Sequence, residues 1–431
     1  MFKKSLFAFS ALILCVCLAP TAWAQQKENG GPGARRDLLR HRPLGMHKPL
    51  GVMPKAAGQS IIPRLCAPAF PSKNIKVYDL AHYPGGTWAE ARGINDFGVV
   101  IGFGDIASGD MHPIGVPLFG PNAWQWFDLG TLGGEGTGSE SYCMGVAETG
   151  LIIGSASIPG NDIIHAFAWT PRSGILDLGT LGVDHTQSWA FGVNKSGTLI
   201  TGAVTPEPGS RARLPVVWTR EVVWGPHGLA IAWKIQELDR TGFEEALAVE
   251  PWGVNDLGQI TGVAAPSDTV CFPVLWNPLP GGKGWKLMRL PLPADSPIDQ
   301  FSQACDINNR GEIVGSIVTA DWSAGYPLLW KPVVPRRSIY DVTRLATLTG
   351  PEQGLAFAWA INDSGDIVGE SYDADGNDLA TLYNAKDPSF IKVLGFPGTG
   401  SYAMGVNNNH IAVGTYWSDT IPPSMAAVKF K

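Results

Sequence analysis

Ala91-Arg92-Gly93-Ile94-Asn95-Asp96-Phe97-Gly98 is the stretch of sequence that decides the fold, because its pattern returns along the chain. The pattern is a small residue, a variable one, a second small residue, Ile or Val, Asn, two variable residues and Gly. Seven copies occur at intervals of 45 to 61 residues, and their Asn position is occupied by Asn95, Ala147, Asn194, Asn255, Asn308, Asn362 and Asn407. A period of this length indicates a repeat architecture in which each copy is one structural unit.

Each copy predicts a small antiparallel sheet. Asn and Gly at this spacing suit a tight hairpin loop, since Asn bonds its own backbone and Gly accepts positive φ. The apolar residues after the turn, such as Val99-Val100-Ile101, predict a second strand. A third strand ending in an aromatic residue follows most copies, as in His165–Trp169, Leu214–Trp218, Phe272–Trp276 and Tyr326–Trp330. A fourth strand, as in Trp126–Leu129, completes a unit of the size of a propeller blade.

The two ends of the repeat region predict how the fold closes. The seventh copy has a third strand, Met425–Phe430, and the sequence then stops without a fourth. A strand without a unit of its own, Ile75–Leu80, precedes the first copy and resembles the fourth strands. An outer strand supplied from the N-terminus would leave no unpaired end. We therefore expect an all-β fold, a seven-bladed β-propeller of four-stranded blades over residues 75–431, with the N-terminal strand completing the last blade.

The residues before the repeats predict export. Lys3 and Lys4, an apolar run from Leu6 to Ala19 and Ala22-Trp23-Ala24 have the order of a signal peptide, residues 1–24, cleaved after Ala24. The run is too short for a transmembrane segment. We expect a secreted or periplasmic protein with no transmembrane segment.

Charge divides the remaining chain into two regions. Residues 25–74 carry nine Lys or Arg and two acidic residues, are rich in Pro and Gly, and predict a basic disordered tail or linker. Residues 75–431 carry 21 basic and 36 acidic residues. An acidic body of this kind argues against a nucleic-acid partner. The basic region has two interpretations, a solvated linker or a contact with acidic polymers or lipid headgroups.

The repeats resemble those of the HAF-repeat family of predicted extracellular proteins. The segments that carry the resemblance are His165-Ala166-Phe167, Asp177-Leu178-Gly179-Thr180-Leu181-Gly182 and Asp128-Leu129-Gly130-Thr131-Leu132-Gly133-Gly134. The resemblance covers most of residues 75–431 and implies export and a propeller-like body. It implies no catalytic residues.

One set of positions is a candidate ligand site. In a closed ring, the residue five before each Asn would lie near one mouth of the central channel, and Arg92 lies two residues after the first. These positions are Glu90, Tyr142, Trp189, Glu250, Gln303, Phe357 and Tyr402. Carboxylates among aromatic rings suit a glycan or another polar organic ligand. The alternative is that these side chains pack between the blades.

Metal, cofactor and disulfide chemistry have weaker signals. Asp373, Asp375 and Asp378 offer oxygen ligands, but the stretch lacks the spacing and the final Glu of a calcium loop, and a plain Asp-Gly turn is the simpler interpretation. We expect no cofactor, with calcium as the alternative.

Four cysteines follow the signal, Cys66, Cys143, Cys271 and Cys305, which allow three disulfide pairings or buried thiols.

Three functions remain open. The first is an exported propeller, monomeric and not an enzyme, that binds a glycan, a small molecule or an envelope protein at the loop face of the channel. The second is a glycoside hydrolase or lyase that uses Glu90 and Glu250 as its carboxylate pair. The third is a structural protein of the envelope or matrix that is held by the basic tail.

Overall fold

The computed structural model describes residues 75–134, 136, 139–205, 210–225, 228–296, 300–319, 324–333, 339–350 and 354–431. The predicted signal peptide and basic region, with Cys66, lie outside the described residues. Within the described part, regular structure consists of β-strands and a single-turn 3-10 helix, Pro280–Gly282. No helix of this part is long and apolar enough to cross a membrane.

The strands form antiparallel four-stranded groups that follow one another along the chain. The first three groups are β2 (Ala89–Ile94), β3 (Val99–Asp105), β4 (Met111–Pro117), β5 (Phe127–Asp128); β6 (Ser141–Val146), β7 (Ile152–Ser157), β8 (Ile164–Thr170), β9 (Gly174–Asp177); and β10 (Gln187–Val193), β11 (Leu199–Thr205), β12 (Leu214–Gly225), β13 (Gly228–Glu237). The next three are β14 (Ala248–Val254), β15 (Ile260–Ser267), β16 (Val270–Pro278), β17 (Trp285–Arg289); β18 (Gln300–Ile307), β19 (Ile313–Thr319), β20 (Gly325–Pro332), β21 (Tyr340–Arg344); and β22 (Ala356–Ile361), β23 (Asp366–Tyr372), β24 (Asp378–Asn384), β25 (Asp387–Val393). A parallel bridge between Cys271 and Phe301 links the groups β14–β17 and β18–β21 into one eight-stranded sheet.

The last group combines the two ends of the described chain. It contains β26 (Gly400–Val406), β27 (Ile411–Trp417), β28 (Ser424–Lys429) and β1 (Lys76–Ala81), in the order β26-β27-β28-β1. β1 pairs with β28 antiparallel, with Val77 opposite Val428. This is the pairing that the sequence predicts for its leading strand.

The turn after each inner strand has the conformation that the Asn-x-x-Gly pattern predicts. At Gly98 φ is +79°, and the backbone amide donates to the Asn95 carbonyl. His410 replaces this Gly in the last copy and still adopts φ +59°, with its Nδ1 2.6 Å from Asp366 Oδ2. The turn at His410 therefore keeps the left-handed backbone conformation that Gly adopts in the other copies.

Adjacent turns are joined by hydrogen bonds, and we call the residues that form these bonds the turn ring. It is formed by the residue after each Asn position: Asp96, Glu148, Lys195, Asp256, Asn309, Asp363 and Asn408. A typical side chain accepts the backbone amide hydrogen of the preceding turn, as Asp363 does from Asn309 at 2.8 Å. Lys195 has no acceptor on its side chain, so its carbonyl accepts from the Glu148 amide instead. The Asn408 amide donates to Asp96 and thereby joins the last turn to the first.

The repeat Asn side chains make a second set of bonds across the same turns. Asn95, Asn255, Asn308, Asn362 and Asn407 each donate from Nδ2 to a carbonyl of the neighbouring turn, at 2.8 to 3.2 Å. The Asn407 bond reaches the Asn95 carbonyl, so this set also joins the last copy to the first. Asn at this position therefore shapes its own turn and binds the next sheet.

Apolar cores lie between neighbouring groups. One cluster contains Tyr78 and Met425 from the last group together with Ala91 and Val100 from the first. Fully buried tryptophans close the third strands at Trp218, Trp276 and Trp330. Their indole N–H groups donate to carbonyls of the preceding group, as from Trp276 to Asp239 at 2.7 Å. The aromatic residue at the end of the third strand thus joins two sheets.

Candidate functional site

The predicted ligand positions lie on the inner strands, and most of them are buried. Glu90, Tyr142, Trp189, Glu250, Phe357 and Tyr402 are nearly inaccessible to solvent, as is Arg92. Gln303 is half-buried. This burial favours the packing alternative for the six buried positions and leaves Gln303 as the member that solvent reaches.

Glu90 is ion-paired within its own strand. Arg92 Nη2 lies 2.7 Å from Glu90 Oε2, and both side chains are buried. The Arg92 guanidinium lies over the ring of Phe103 on β3, 5.1 Å from its centroid. Strand alternation places Glu90 and Arg92 on one face, where each can neutralise the other.

Glu250 is ion-paired with a residue that the repeat pattern does not include. Arg213, just before β12, places Nη1 2.7 Å from Glu250 Oε1 on β14. Its guanidinium lies over Trp189, 4.9 Å from the ring centroid. Trp252 Nε1 donates to Glu250 Oε2 at 3.3 Å, and Trp252 is half-buried. Arg213, Glu250 and Trp252 form a connected series, which we call the Arg213 chain.

These pairs bear on the hydrolase alternative. Each of Glu90 and Glu250 has an arginine as hydrogen-bonded partner, and neither side chain is open to solvent. A glycosidase needs one carboxyl that is protonated and able to reach its substrate. The arrangement therefore suits residues that position others better than residues that transfer protons.

Glu370 is an acidic residue that the repeat pattern does not single out, and it lies beside Asp378, one of the metal candidates named above. Glu370 on β23 and Asp378 on β24 are both buried, and Glu370 lies opposite Phe357 in the sheet. Burial and the neighbouring Glu370 carboxyl raise the pKa of Asp378 well above its usual value. The other six copies all have an uncharged side chain at the position of Glu370, such as Ser155 or Ser316. A charged residue at this repeat position is the sequence feature that could have identified Glu370.

Within the turn ring, Lys195 also connects turns that are distant along the chain. Lys195 Nζ lies 2.6 Å from Asp363 Oδ2, and both groups are partly exposed. This bond joins turns that are 168 residues apart in sequence. The Lys195 ammonium helps to hold the pKa of Asp363 below its usual value.

Asp306 gives a testable dependence of stability on pH. Burial raises the pKa of its carboxyl from 3.8 to about 6, although the amides of Ile307 and Ile361 donate to it. A raised pKa in the folded state means that this group favours folding most at low pH, and that the benefit is lost as pH rises from about 4 to about 6. Asp306→Asn lacks this titration. We expect urea unfolding at a series of pH values to show the variant gaining stability relative to the native protein over that range. A constant difference across the range would contradict the assignment.

The calcium alternative finds no group of ligands among the described residues. The Asp373 carboxylate accepts the amides of Asp375 and Asn377 within its own turn. Asp378 is directed to the interior beside Glu370 rather than toward Asp373. In the described part of the chain, no cluster of three His, Cys, Asp or Glu side chains could hold a metal ion.

The described cysteines are thiols. Cys143, Cys271 and Cys305 form no disulfide with one another. Cys143 Sγ donates to the Gly102 carbonyl, and burial raises the pKa of the Cys143 and Cys271 thiols to about 12. Inert thiols of this kind fit the interpretation as small core residues.

The comparisons with known proteins concern the fold. No family model matches the chain, and no curated protein matches it by sequence. Among solved structures it is similar to the β-propeller domain of the Trilobed protease from Pyrococcus furiosus, with 9% identity, 80% of this chain and 95% of that chain covered, and a TM-score of 0.47. It is also similar to an oligogalacturonate lyase from Vibrio parahaemolyticus, with 12% identity, 84% and 96% coverage, and a TM-score of 0.49.

A third similarity is to a structure from a study of two prolyl endopeptidases. It has 11% identity and a TM-score of 0.51, and it covers 80% of this chain and 50% of that one. At this identity the match shows the fold alone. The chain has a β-propeller type of fold. The resemblance to HAF-repeat proteins stays a prediction.

Proposed function

We propose that the chain is a seven-bladed β-propeller whose last blade is completed by β1. The hydrogen bonds of the turn ring support this proposal, because they run from each copy to the next and return from Asn408 to Asp96. The pairing of Val77 with Val428 supports closure at the same seam. A crystal structure with another number of blades, or with β1 away from β28, would contradict it.

We further propose that the protein is an exported recognition protein that binds a polar organic ligand at the loop face of its channel, with a glycan as the first candidate. The observation that carries this proposal is the Arg213 chain. Glu250, which is itself ion-paired with Arg213, accepts the indole N–H of the half-buried Trp252 and so orients its ring. A rigidly supported aromatic ring is a suitable surface for recognition, because little entropy is lost when a ligand binds. Gln303 is partly exposed and adds hydrogen-bonding capacity.

The binding proposal is tested with a glycan and metabolite screen on the chain from Gln25 onward. For any ligand found, Trp252→Ala is expected to weaken binding by about tenfold or more, the loss typical of one central aromatic contact. The matched control is Trp224→Ala, which removes a tryptophan that is 82% exposed on the β12–β13 hairpin. Equal affinities of Trp252→Ala and the native protein would end the assignment of this site.

Export and the enzyme alternative have separate tests. N-terminal sequencing of the secreted protein is expected to begin at Gln25. Glu90→Gln and Glu250→Gln are expected to leave the rate of any turnover at saturating glycan unchanged, because both carboxylates are ion-paired and buried, although Glu250→Gln weakens binding through its contact with Trp252. A loss of this rate at saturating glycan in both variants would favour the hydrolase.

A further inference from the structure

Three aromatic side chains form an exposed patch at the seam between the first and last sheets. Phe97, Phe119 and Trp124 are 69%, 45% and 47% exposed. The rings of Phe119 and Trp124 both contact Tyr78 of β1, at centroid distances of 6.2 and 6.1 Å. The backbone of Gly98, next to Phe97, lies against the Phe119 ring. We call Phe97, Phe119 and Trp124 the aromatic patch. Clustered exposed apolar side chains of this kind mark interaction sites.

The backbone at Trp124 indicates that its ring is held on the surface against local preference. Its φ is +66°, a conformation that Gly or Asn adopts easily and that a bulky side chain disfavours. The Trp124 amide donates to the Pro117 carbonyl, which fixes the loop between β4 and β5. A strained residue with a half-exposed ring suggests that the ring has a partner.

The described chain begins beside this patch. Ile75 is the first described residue, and Tyr78, three residues later, already touches Phe119 and Trp124. Lys76, at the start of β1, lies opposite Lys429 at the end of β28. The amide of the next residue, Phe430, donates to the carbonyl of His410 in the last turn. The chain therefore enters β1 on the face that carries the turn ring. The residues that directly precede Ile75 are therefore the nearest segment that can cover the patch.

The chemistry of that segment fits an aromatic surface. Residues 61–71 read Ile-Ile-Pro-Arg-Leu-Cys-Ala-Pro-Ala-Phe-Pro, with three prolines, two isoleucines, one leucine and one phenylalanine. Proline-rich segments bind aromatic-lined surfaces at a low entropic cost, because their backbone is already restricted. Asp96, beside Phe97, carries a charge opposite to that of Arg64, and its two oxygens also accept hydrogen bonds from Asn408.

We propose that the aromatic patch docks residues 61–71 of the same chain. The segment covers the seam where β1 completes the last sheet and orders the base of the basic region. This docking lies at the seam between the first and last groups and does not depend on the ligand site proposed at Trp252 of β14.

The test uses the full chain and limited digestion with trypsin. Cleavage after Arg64 is compared with cleavage after Arg40, an internal reference that lies outside the docked segment. In the native protein, cleavage after Arg64 is the slower. Phe119→Ser together with Trp124→Asn is expected to raise the ratio of Arg64 to Arg40 cleavage by about fivefold or more, because cleavage follows the population of the open form. Asn suits the left-handed backbone at position 124.

Two further variants separate docking from a general loss of structure. Phe70→Ser changes the segment and not the patch, and it is expected to raise the ratio in the same way. Val183→Ser removes a side chain that is 95% exposed between β9 and β10, and it is expected to leave the ratio unchanged. The proposal is overturned if the patch variants and Phe70→Ser leave the ratio as it is in the native protein. It is also overturned if protection of Arg64 falls on dilution, since the occupant would then be a second copy.

Discussion

Trp276→Ala is expected to lower the free energy of unfolding by about 3–5 kcal/mol, the range for removal of a fully buried aromatic side chain. Trp276 has no exposed surface and packs among Val217, Val254 and Leu287. Its indole also donates to the Asp239 carbonyl at the end of the preceding group. The substitution therefore leaves a cavity between two sheets and an acceptor without its bond. Urea denaturation, followed by circular dichroism, measures the change.

Two further substitutions divide this loss into its parts. Trp276→Phe keeps an aromatic ring but not the donor, so we expect a loss of about 1–3 kcal/mol, as for a smaller ring with one missing hydrogen bond. Trp224→Ala removes the same side chain at an exposed site and is expected to change stability by less than about 0.5 kcal/mol. Equal effects of Trp276→Ala and Trp224→Ala would mean that Trp276 does not join the two sheets.

The repeat pattern was sufficient to predict the local structure. Asn95 and Gly98 identify a turn because their backbone preferences are properties of single residues. The apolar run after the turn identifies a strand, and the unmatched segment before the first copy was correctly assigned to pair with β28. The turn ring is harder to predict from the sequence, because its members are of four residue types, Asp, Glu, Lys and Asn. What they share is the position after Asn and, in most copies, a side-chain oxygen that accepts a hydrogen bond.

The candidate site could be predicted less well than the fold. Glu90 and Glu250 were singled out by their place in the repeat, but their exposure depends on neighbouring sheets. Arg213 lies before β12 and occupies no repeat position, so no pattern along the chain pairs it with Glu250, 37 residues later. Contacts between sheets depend on how the sheets pack, and one sequence does not encode them as a spacing.

Arg213→Ala is expected to destabilise the protein by about 3–5 kcal/mol, the usual cost of removing one member of a buried ion pair. Glu250 is almost completely buried, and the substitution takes away the charged partner 2.7 Å from its Oε1. The contact of the guanidinium with the Trp189 ring is lost as well. The free energy of unfolding in urea gives the magnitude.

Double variants identify the cause of that loss. Arg213→Met with Glu250→Gln removes both charges while keeping similar volume, and we expect it to be more stable than Arg213→Ala, because no unpaired carboxylate remains. A coupling energy of about 1 kcal/mol or more between positions 213 and 250 would establish that the pair acts as a unit.

The same variants test whether the Arg213 chain holds Trp252 for its ligand. If it does, Arg213→Ala weakens ligand binding. Arg213→Met with Glu250→Gln does not restore binding, because the acceptor of the Trp252 N–H has changed. Additive effects at 213 and 250, with ligand affinity unchanged in both variants, would show that Arg213 and Glu250 do not act as a unit and that the Arg213 chain does not position the indole.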